Sequence, residues 1–296
     1  MSDQELLDRA VAMFVAATPP VGAPIEDWRT GFEEMCSKFE LPVDAVVEEV
    51  RLGGVPGRRI CAPGADAGRV VLHFHSGGYV MGSSQAYREF GYRLSKACNT
   101  AVIVPDYRLA PEAPFPAAVE DATAAYQALV KEIDPNRVVI SGDSAGGGLA
   151  IATLLAVRDE GVPLPSAAFA ISPLLDLAGT GESAETNAEA DPLIDRNMVV
   201  EMGKVYIGEL DPKATPLASP LYGDHKGLPP LLLLASNSEV LRDDATRLAE
   251  SVNASGGDAT ILLPDGMVHI WTLFPFLPQA ERSLHDIGEF VRNHLD

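Results

Sequence analysis

Basic residues are scarce in this chain of 296: 22 lysines and arginines face 42 aspartates and glutamates, for a formal charge of −20. Nucleic acid and anionic membrane would both be repelled by such a surface. The balance excludes them as electrostatic partners and favours a neutral small molecule. Cysteine is scarce too. Cys36, Cys61 and Cys98 are odd in number, far apart and without a C-x-x-C pair. That excludes a zinc ribbon or a dithiol redox site and predicts free thiols in a reducing compartment. No apolar run approaches the length of a membrane-spanning helix. The opening MSDQELLDRAVAMFVAATPP is partly apolar, but it lacks the basic stretch that begins a signal peptide. The expectation is a cytoplasmic protein with no stable membrane association.

Hydrophobic material is ample, at 47% of residues against 22% charged, enough for the core of a large α/β domain. Leu6, Leu7, Ala10, Val11, Phe14 and Val15 recur at helical spacing. Trp28, Phe32, Met35, Cys36 and Phe39 do so again, so two amphipathic helices come first. Strand-like segments between residues 46 and 61 surround GGVPG and read as a hairpin. Strand-like runs then follow at 70–74, 101–104, 138–140, 167–171, 231–235 and 260–263. Helix-like segments lie between most of them, at 84–98, 117–132, 145–159 and 241–255. Apolar strands separated by helices predict a mostly parallel sheet covered on both faces, in a single α/β domain over 1–296. Between residues 175 and 228 there is no strand, only polar linker and a helix-like piece near 198–207. An insertion that long past a strand's carboxyl end predicts a helical cap of about 180–226, joined by about 1–42.

The strongest chemical signal is VVISGDSAGGGLAIATLL. A strand runs into Gly142-Asp143-Ser144-Ala145-Gly146 and a helix follows at once, which is G-x-S-x-G in the strand–turn–helix setting of a nucleophile elbow. So sharp a turn crowds the residues two before and two after the serine, and both must be small. A phosphate-binding helix start is the competing reading, but the spacing fits neither G-x-G-x-x-G nor a P-loop. A serine at neutral pH needs a base, and the base needs an orienting acid. In this architecture acid and then histidine follow the serine along the chain. His225 comes too early for that order, and His285 and His294 lie in a charged helix-like segment. His269, just past the last strand, is where the base belongs. Glu239 is the first carboxylate beyond the preceding strand; Asp243 is the weaker candidate, better suited to the start of a helix.

Acyl transfer passes through an oxyanion, which needs preorganised N–H donors. One is the amide of Ala145, directly after the nucleophile, and the others belong to a glycine loop after an earlier strand. His75-Ser76-Gly77-Gly78 sits there. His73 and His75 could suggest a metal pair, but no third ligand has suitable spacing, so no metal is expected. Asp106 and Arg108 could form a structural ion pair. Trp271 and Phe274 fit core or pocket wall.

The segments HSGGYVMGS, DYRLAPEAPFPAAVEDA, GDSAGGGLA, SEVLRDDA and DGMVHIW, in that order, resemble the bacterial hormone-sensitive-lipase-like (family IV) carboxylesterases of the α/β-hydrolase superfamily. The likeness covers nearly the whole chain. It implies an α/β-hydrolase core with a helical cap that hydrolyses esters of short to medium acyl chain without a cofactor. It makes Ser144 the nucleophile, His269 the base and Glu239 the acid, with Gly77, Gly78 and Ala145 as the oxyanion hole. Many relatives use Asp as the acid; the EVL segment is similar to those that use Glu. Ser76 stands where the family most often has glycine. If that position required positive φ, serine would cost about 1–2 kcal/mol. Substrate contacts are expected from Met198, Val205, Tyr206 and Ile270. A lactone hydrolase using the same site is the alternative, since DGMVHIW is also similar to lactone-hydrolase relatives. A non-catalytic ligand-binding protein on this fold is the other, and the intact triad argues against it. A homodimer is compatible with such an enzyme.

Overall fold

A computed structural model of the protein describes residues 1–20 and 22–295. Its centre is one eight-stranded sheet. The strands are β1 (Val46–Leu52), β2 (Val55–Cys61), β3 (Asp66–Phe74), β4 (Thr100–Pro105), β5 (Val138–Asp143), β6 (Ala167–Ile171), β7 (Leu231–Leu234) and β8 (Ala259–Leu262). β4, β5, β6 and β7 are buried at every residue. Strands with no polar face are stable only between two layers of helices. They run parallel in the spatial order β4-β3-β5-β6-β7-β8, as the alternating pattern predicts.

β1 and β2 add an antiparallel hairpin at the β4 edge. Its turn is Gly53-Gly54, at φ 58° and 91°, the two positive values that a two-residue hairpin requires. Val55, Pro56 and Gly57 are already strand, so the turn is tighter than the whole GGVPG segment.

The helices of the core are α3 (Arg88–Cys98), α4 (Ala117–Leu129), α5 (Ala145–Asp159), α8 (Arg242–Ala254) and α9 (Pro278–His294). From β3 the chain steps through α3 to β4 on one side, then through α4 and α5 in the opposite direction. Right-handed crossovers therefore place α3 and the α4/α5 pair on opposite faces. The helix after β3 starts at Arg88, later than its apolar spacing suggests. Ser84 is held outside it, its N–H and Oγ donating to the two Asp106 carboxylate oxygens at 2.6 and 2.8 Å. That engagement also corrects the expected Asp106–Arg108 pair: Arg108 pairs instead with Asp121 and Glu120, at 2.8 and 3.0 Å.

The long connection between β6 and β7 contains α6 (Ser183–Thr186) and α7 (Arg196–Ile207) and no strand. At the other end of the sequence, α1 (Asp3–Ala17) and α2 (Ile25–Ser37) pack together. A reciprocal cap starts α1: Ser2 Oγ accepts from Glu5 N–H, and Glu5 accepts from Ser2 N–H, satisfying two otherwise orphaned donors. Among the described residues no helix is long and apolar enough to cross a membrane.

Candidate active site

The sheet brings two loops side by side. β3 and β5 are neighbours whose last ladder pair is Phe74 with Gly142, so the chain leaving β3 and the chain leaving β5 emerge together. Beyond Gly142 the backbone turns sharply into α5. Ser144 sits in that turn at φ 53° and ψ −121°, a conformation that costs a non-glycine residue about 1–3 kcal/mol and persists only where the surroundings enforce it. They do so here through glycine. A β-carbon at Gly142 would collide with the Gly146 carbonyl, and one at Gly146 with the carbonyl oxygens of Phe74 and His75. Ser144 N–H donates to Ile171 O at 2.9 Å, and Leu174 N–H donates to Ser144 O at 2.9 Å. The hydroxyl thus stands at the N-terminus of a fifteen-residue helix, where backbone dipoles favour developing negative charge.

His269 and Glu239 meet that hydroxyl in line. His269 Nε2 lies 2.9 Å from Ser144 Oγ, and its Nδ1 lies 2.9 Å from Glu239 Oε1. With Nδ1–H donating to the carboxylate, Nε2 is left to accept from the serine. The other Glu239 oxygen accepts from Ser236 N–H at 2.5 Å. Ser236 Oγ accepts from the N–H groups of Ser238 and Met267, at 3.2 and 3.0 Å, tying the acid's loop to the histidine's. All three members are buried. Burial by itself would lower the His269 pKa; the hydrogen bond to Glu239 and its charge outweigh it, and the net shift is upward from 6.5.

The loop after β3 carries the paired glycines. Gly77 and Gly78 have φ of 123° and 60°, and a β-carbon would strike the Met81 backbone at the first and the Met202 sulfur at the second. Ser76 is not among the residues with positive φ, so the serine carries none of the strain that glycine would relieve. Ala145 is buried at the first position of α5, where its N–H has no intrahelical acceptor.

Ser76, Gly77, Gly78, Ser144, His269 and Ile270 share one cavity. Its remaining wall is almost wholly apolar: Phe14, Trp28 and Phe32 from α1 and α2, Ile194, Met198, Val199 and Met202 from the insertion, and Met81, Leu174 and Leu241 from the core. Of the four expected substrate contacts, Met198 and Ile270 line it and two do not. Val205 is 42% exposed, and Tyr206 is buried in a stack with Tyr79, ring centroids 3.9 Å apart. The correction has a simple cause. Val205 and Tyr206 lie about two turns, roughly 10 Å, further along α7 than Met198. The wall residues on α1 and α2 carry no motif, only the helical spacing that placed them on a buried face.

The other candidates are engaged elsewhere. Asp243 accepts from Ser183 N–H at 2.9 Å and pairs with Arg242 at 2.8 Å. His225 bonds Ser251 and Pro220, and His285 is 3.7 Å from Glu289. His73 contacts Ser141 and Asp143, while His75 contacts Ser76 O and stacks on Tyr107. Among the described residues no group of three or more His, Cys, Asp or Glu could hold a metal ion. Trp271 and Phe274 are core.

Known proteins share this arrangement of fold and sequence. Residues 71–273 match the family described as alpha/beta hydrolase fold. An acetyl-hydrolase of Streptomyces hygroscopicus is 44% identical over 78% of this chain and 77% of its own length. An esterase of Acinetobacter venetianus is 34% identical over 89% and 87%. Among solved structures, an esterase from the bacterial hormone-sensitive lipase family superposes with a TM-score of 0.96 at 42% identity, over 100% of both chains. An esterase/lipase from an uncultured bacterium does so at 0.92 and 40%, over 98% of each.

Proposed function

The chain belongs to the alpha/beta-hydrolase family as a hormone-sensitive-lipase-like carboxylesterase, and on that premise we propose that Ser144, His269 and Glu239 are its catalytic triad and that it prefers linear esters of short to medium acyl chain. The observation that carries the triad is the continuous contact Glu239–His269–Ser144, at 2.9 Å on each side of the imidazole. Ser144 attacks the ester carbonyl as His269 takes its proton, and Glu239 stabilises the imidazolium. The amides of Gly77, Gly78 and Ala145 hold the oxyanion. His269 then protonates the leaving alcohol, and water repeats the sequence on the acyl-enzyme.

The apolar cavity supports an uncharged substrate, since a charged one would lose its hydration there without a partner. Segments of about 1–42 and about 180–226 serve as the cap over it. Linear esters are preferred to lactones in this reading because the similar proteins named above are described as acetyl-hydrolase and esterase.

Turnover of p-nitrophenyl butyrate and of ε-caprolactone by the parent and by Ser144→Ala tests both parts. The parent is expected to favour the linear ester, and the variant to lose both activities to background. Turnover retained by Ser144→Ala rejects the triad; faster lactone opening by the parent rejects the substrate class.

A further inference from the structure

Behind the glycine loop lies a buried polar chain that the hydrolytic steps do not use. Asp143, the residue before the nucleophile, is not part of the cavity lining. Its Oδ2 is 2.5 Å from the Tyr87 hydroxyl, and its Oδ1 is 3.1 Å from His73 Nε2. His73 Nδ1 in turn lies 2.9 Å from Ser141 Oγ. On its other side the Tyr87 oxygen is 3.0 Å from Ser76 N and 2.7 Å from Ser76 Oγ. Every member of this chain is buried.

Proton counting fixes the directions. Burial and the neighbouring Asp143 charge push the Tyr87 phenol far above its ordinary value, so it keeps its one proton. An ionised carboxylate only accepts, so the phenol donates to Asp143. The Tyr87 oxygen then accepts twice, from Ser76 N–H and from Ser76 Oγ–H. The ladder between β3 and β5 ends at Phe74 and Gly142. Two residues beyond it on one strand and one residue beyond it on the other, a single phenol bridges Ser76 to Asp143. Those are the residues directly preceding Gly77 and Ser144.

We propose that Tyr87 is a positioning residue for ester hydrolysis, holding the oxyanion loop in register with the nucleophile elbow, and that the Ser76 hydroxyl is the second of two grips this chain places on it. The proposal rests on the reading of Ser144 as nucleophile and Gly77 and Gly78 as oxyanion donors. Such donors act only when placed at the position the oxyanion occupies in the transition state, and small displacements are costly. Ser76, which replaces the more usual glycine of the resembling family, is on this account a functional addition. Glycine keeps the amide grip and loses the hydroxyl grip; phenylalanine at 87 loses both and leaves Ser76 N–H buried without a partner.

The test uses Tyr87→Phe, Ser76→Gly, their double variant and Ser144→Ala, assayed on p-nitrophenyl butyrate and titrated with phenylboronic acid, which forms a tetrahedral adduct on an active-site serine. Tyr87→Phe is expected to lose about 10–100-fold in kcat, with KM within about twofold of the parent. Boronate affinity falls alongside kcat, because both report the tetrahedral geometry. Ser76→Gly loses about threefold, and adding it to Tyr87→Phe causes no further loss, since the grip it removes is already gone. A folded Tyr87→Phe with parental kcat, a change confined to KM, or additive losses would each overturn the proposal. A purely structural tyrosine would lower thermal stability without moving boronate affinity. If Tyr87→Phe does not fold, Ser76→Gly and Ser76→Ala carry the test, and parental kcat in both rejects it. Retained turnover in Ser144→Ala signals failure of the triad instead; an inactive Ser144→Ala beside an unimpaired Tyr87→Phe sinks the positioning role alone.

Discussion

Glu239 shows how much one side chain decides. Its two oxygens are divided, one on His269 Nδ1 and one on Ser236 N–H, so it fixes both the tautomer and the charge preference of the base. Glu239→Gln presents an amide that can select the wrong tautomer and no longer stabilises imidazolium. It is expected to lower kcat/KM by roughly 10³–10⁴-fold, whereas Asp243→Asn stays within about twofold because Asp243 faces Ser183 and Arg242. The pH profile gives the sign. In the proposed triad His269 acts as the neutral base, and its pKa is raised, so kcat/KM should fall as pH drops through a value above 6.5. Without the Glu239 charge that raising contribution is lost, and the acid limb of the residual activity moves to lower pH. An unmoved limb would detach Glu239 from the base. Ser144 and His269 were legible because each stands at a topologically fixed place, the end of β5 and the loop after β8. Glu239 was legible by order along the chain. The Tyr87 bridge was not, because it joins the connection between β3 and α3 to the end of β5, which only the folded sheet brings together.

At the scale of elements, α8 is fastened to the end of β6 by an acid that prefers to be neutral. Asp244 lies in the first turn of α8, and its Oδ2 accepts the N–H groups of Leu175 and Asp176 at 2.7 and 2.9 Å. These follow Leu174, a wall of the cavity. Burial pushes the Asp244 carboxyl up, its amide donors oppose this, and the nearby Asp176 charge adds to it, bringing the group to about 8. Asp176 is itself buried, lowered, and 3.3 Å from Arg247. A carboxyl raised from 3.8 favours the folded state while it is protonated, so stability declines as pH rises from 3.8 towards about 8 and levels off beyond. Between pH 6 and 9 this group alone removes roughly 2–3 kcal/mol. Asp244→Asn keeps an acceptor for both amides and cannot ionise. Urea melts at pH 6 and 9 should show the parent losing stability that the variant retains, and equal losses in both would contradict the assignment. The boundaries of some elements were well marked in the sequence. β6 and α5 span the predicted residues, since apolar runs and the glycine turn punctuate them. α3 starts late, and Ser84, outside it, is bound to Asp106 beyond β4, a contact invisible in local spacing.

Over the whole molecule, two sequence-distant segments supply walls of the one cavity that holds Ser144. The insertion was visible as a gap between strands, but its register over the cavity was not, because that depends on how α7 meets α1, α2 and the glycine loop. Met198 and Met202 stand over the site while Val205 and Tyr206, two turns on, do not. Of the cavity's lining only Thr18, Trp28, Ser76, Ser144 and His269 carry side-chain N–H or O–H groups. Each methylene of an acyl chain buried against such a wall contributes about 0.8 kcal/mol, or about fourfold in kcat/KM. The rise stops where the chain meets an end. Met202 is the candidate for that end, since its sulfur packs directly against Gly78. Along a series of p-nitrophenyl esters from acetate to laurate, kcat/KM of the parent should climb and then fall within the shorter members. Met202→Ala removes the stop without touching the triad, so its peak should lie at a longer chain while its rate on acetate stays within a few-fold of the parent. A peak that does not move would place the end of the acyl pocket elsewhere in the cap, and a loss on every ester alike would make Met202 a support for the oxyanion loop instead of a limit on chain length.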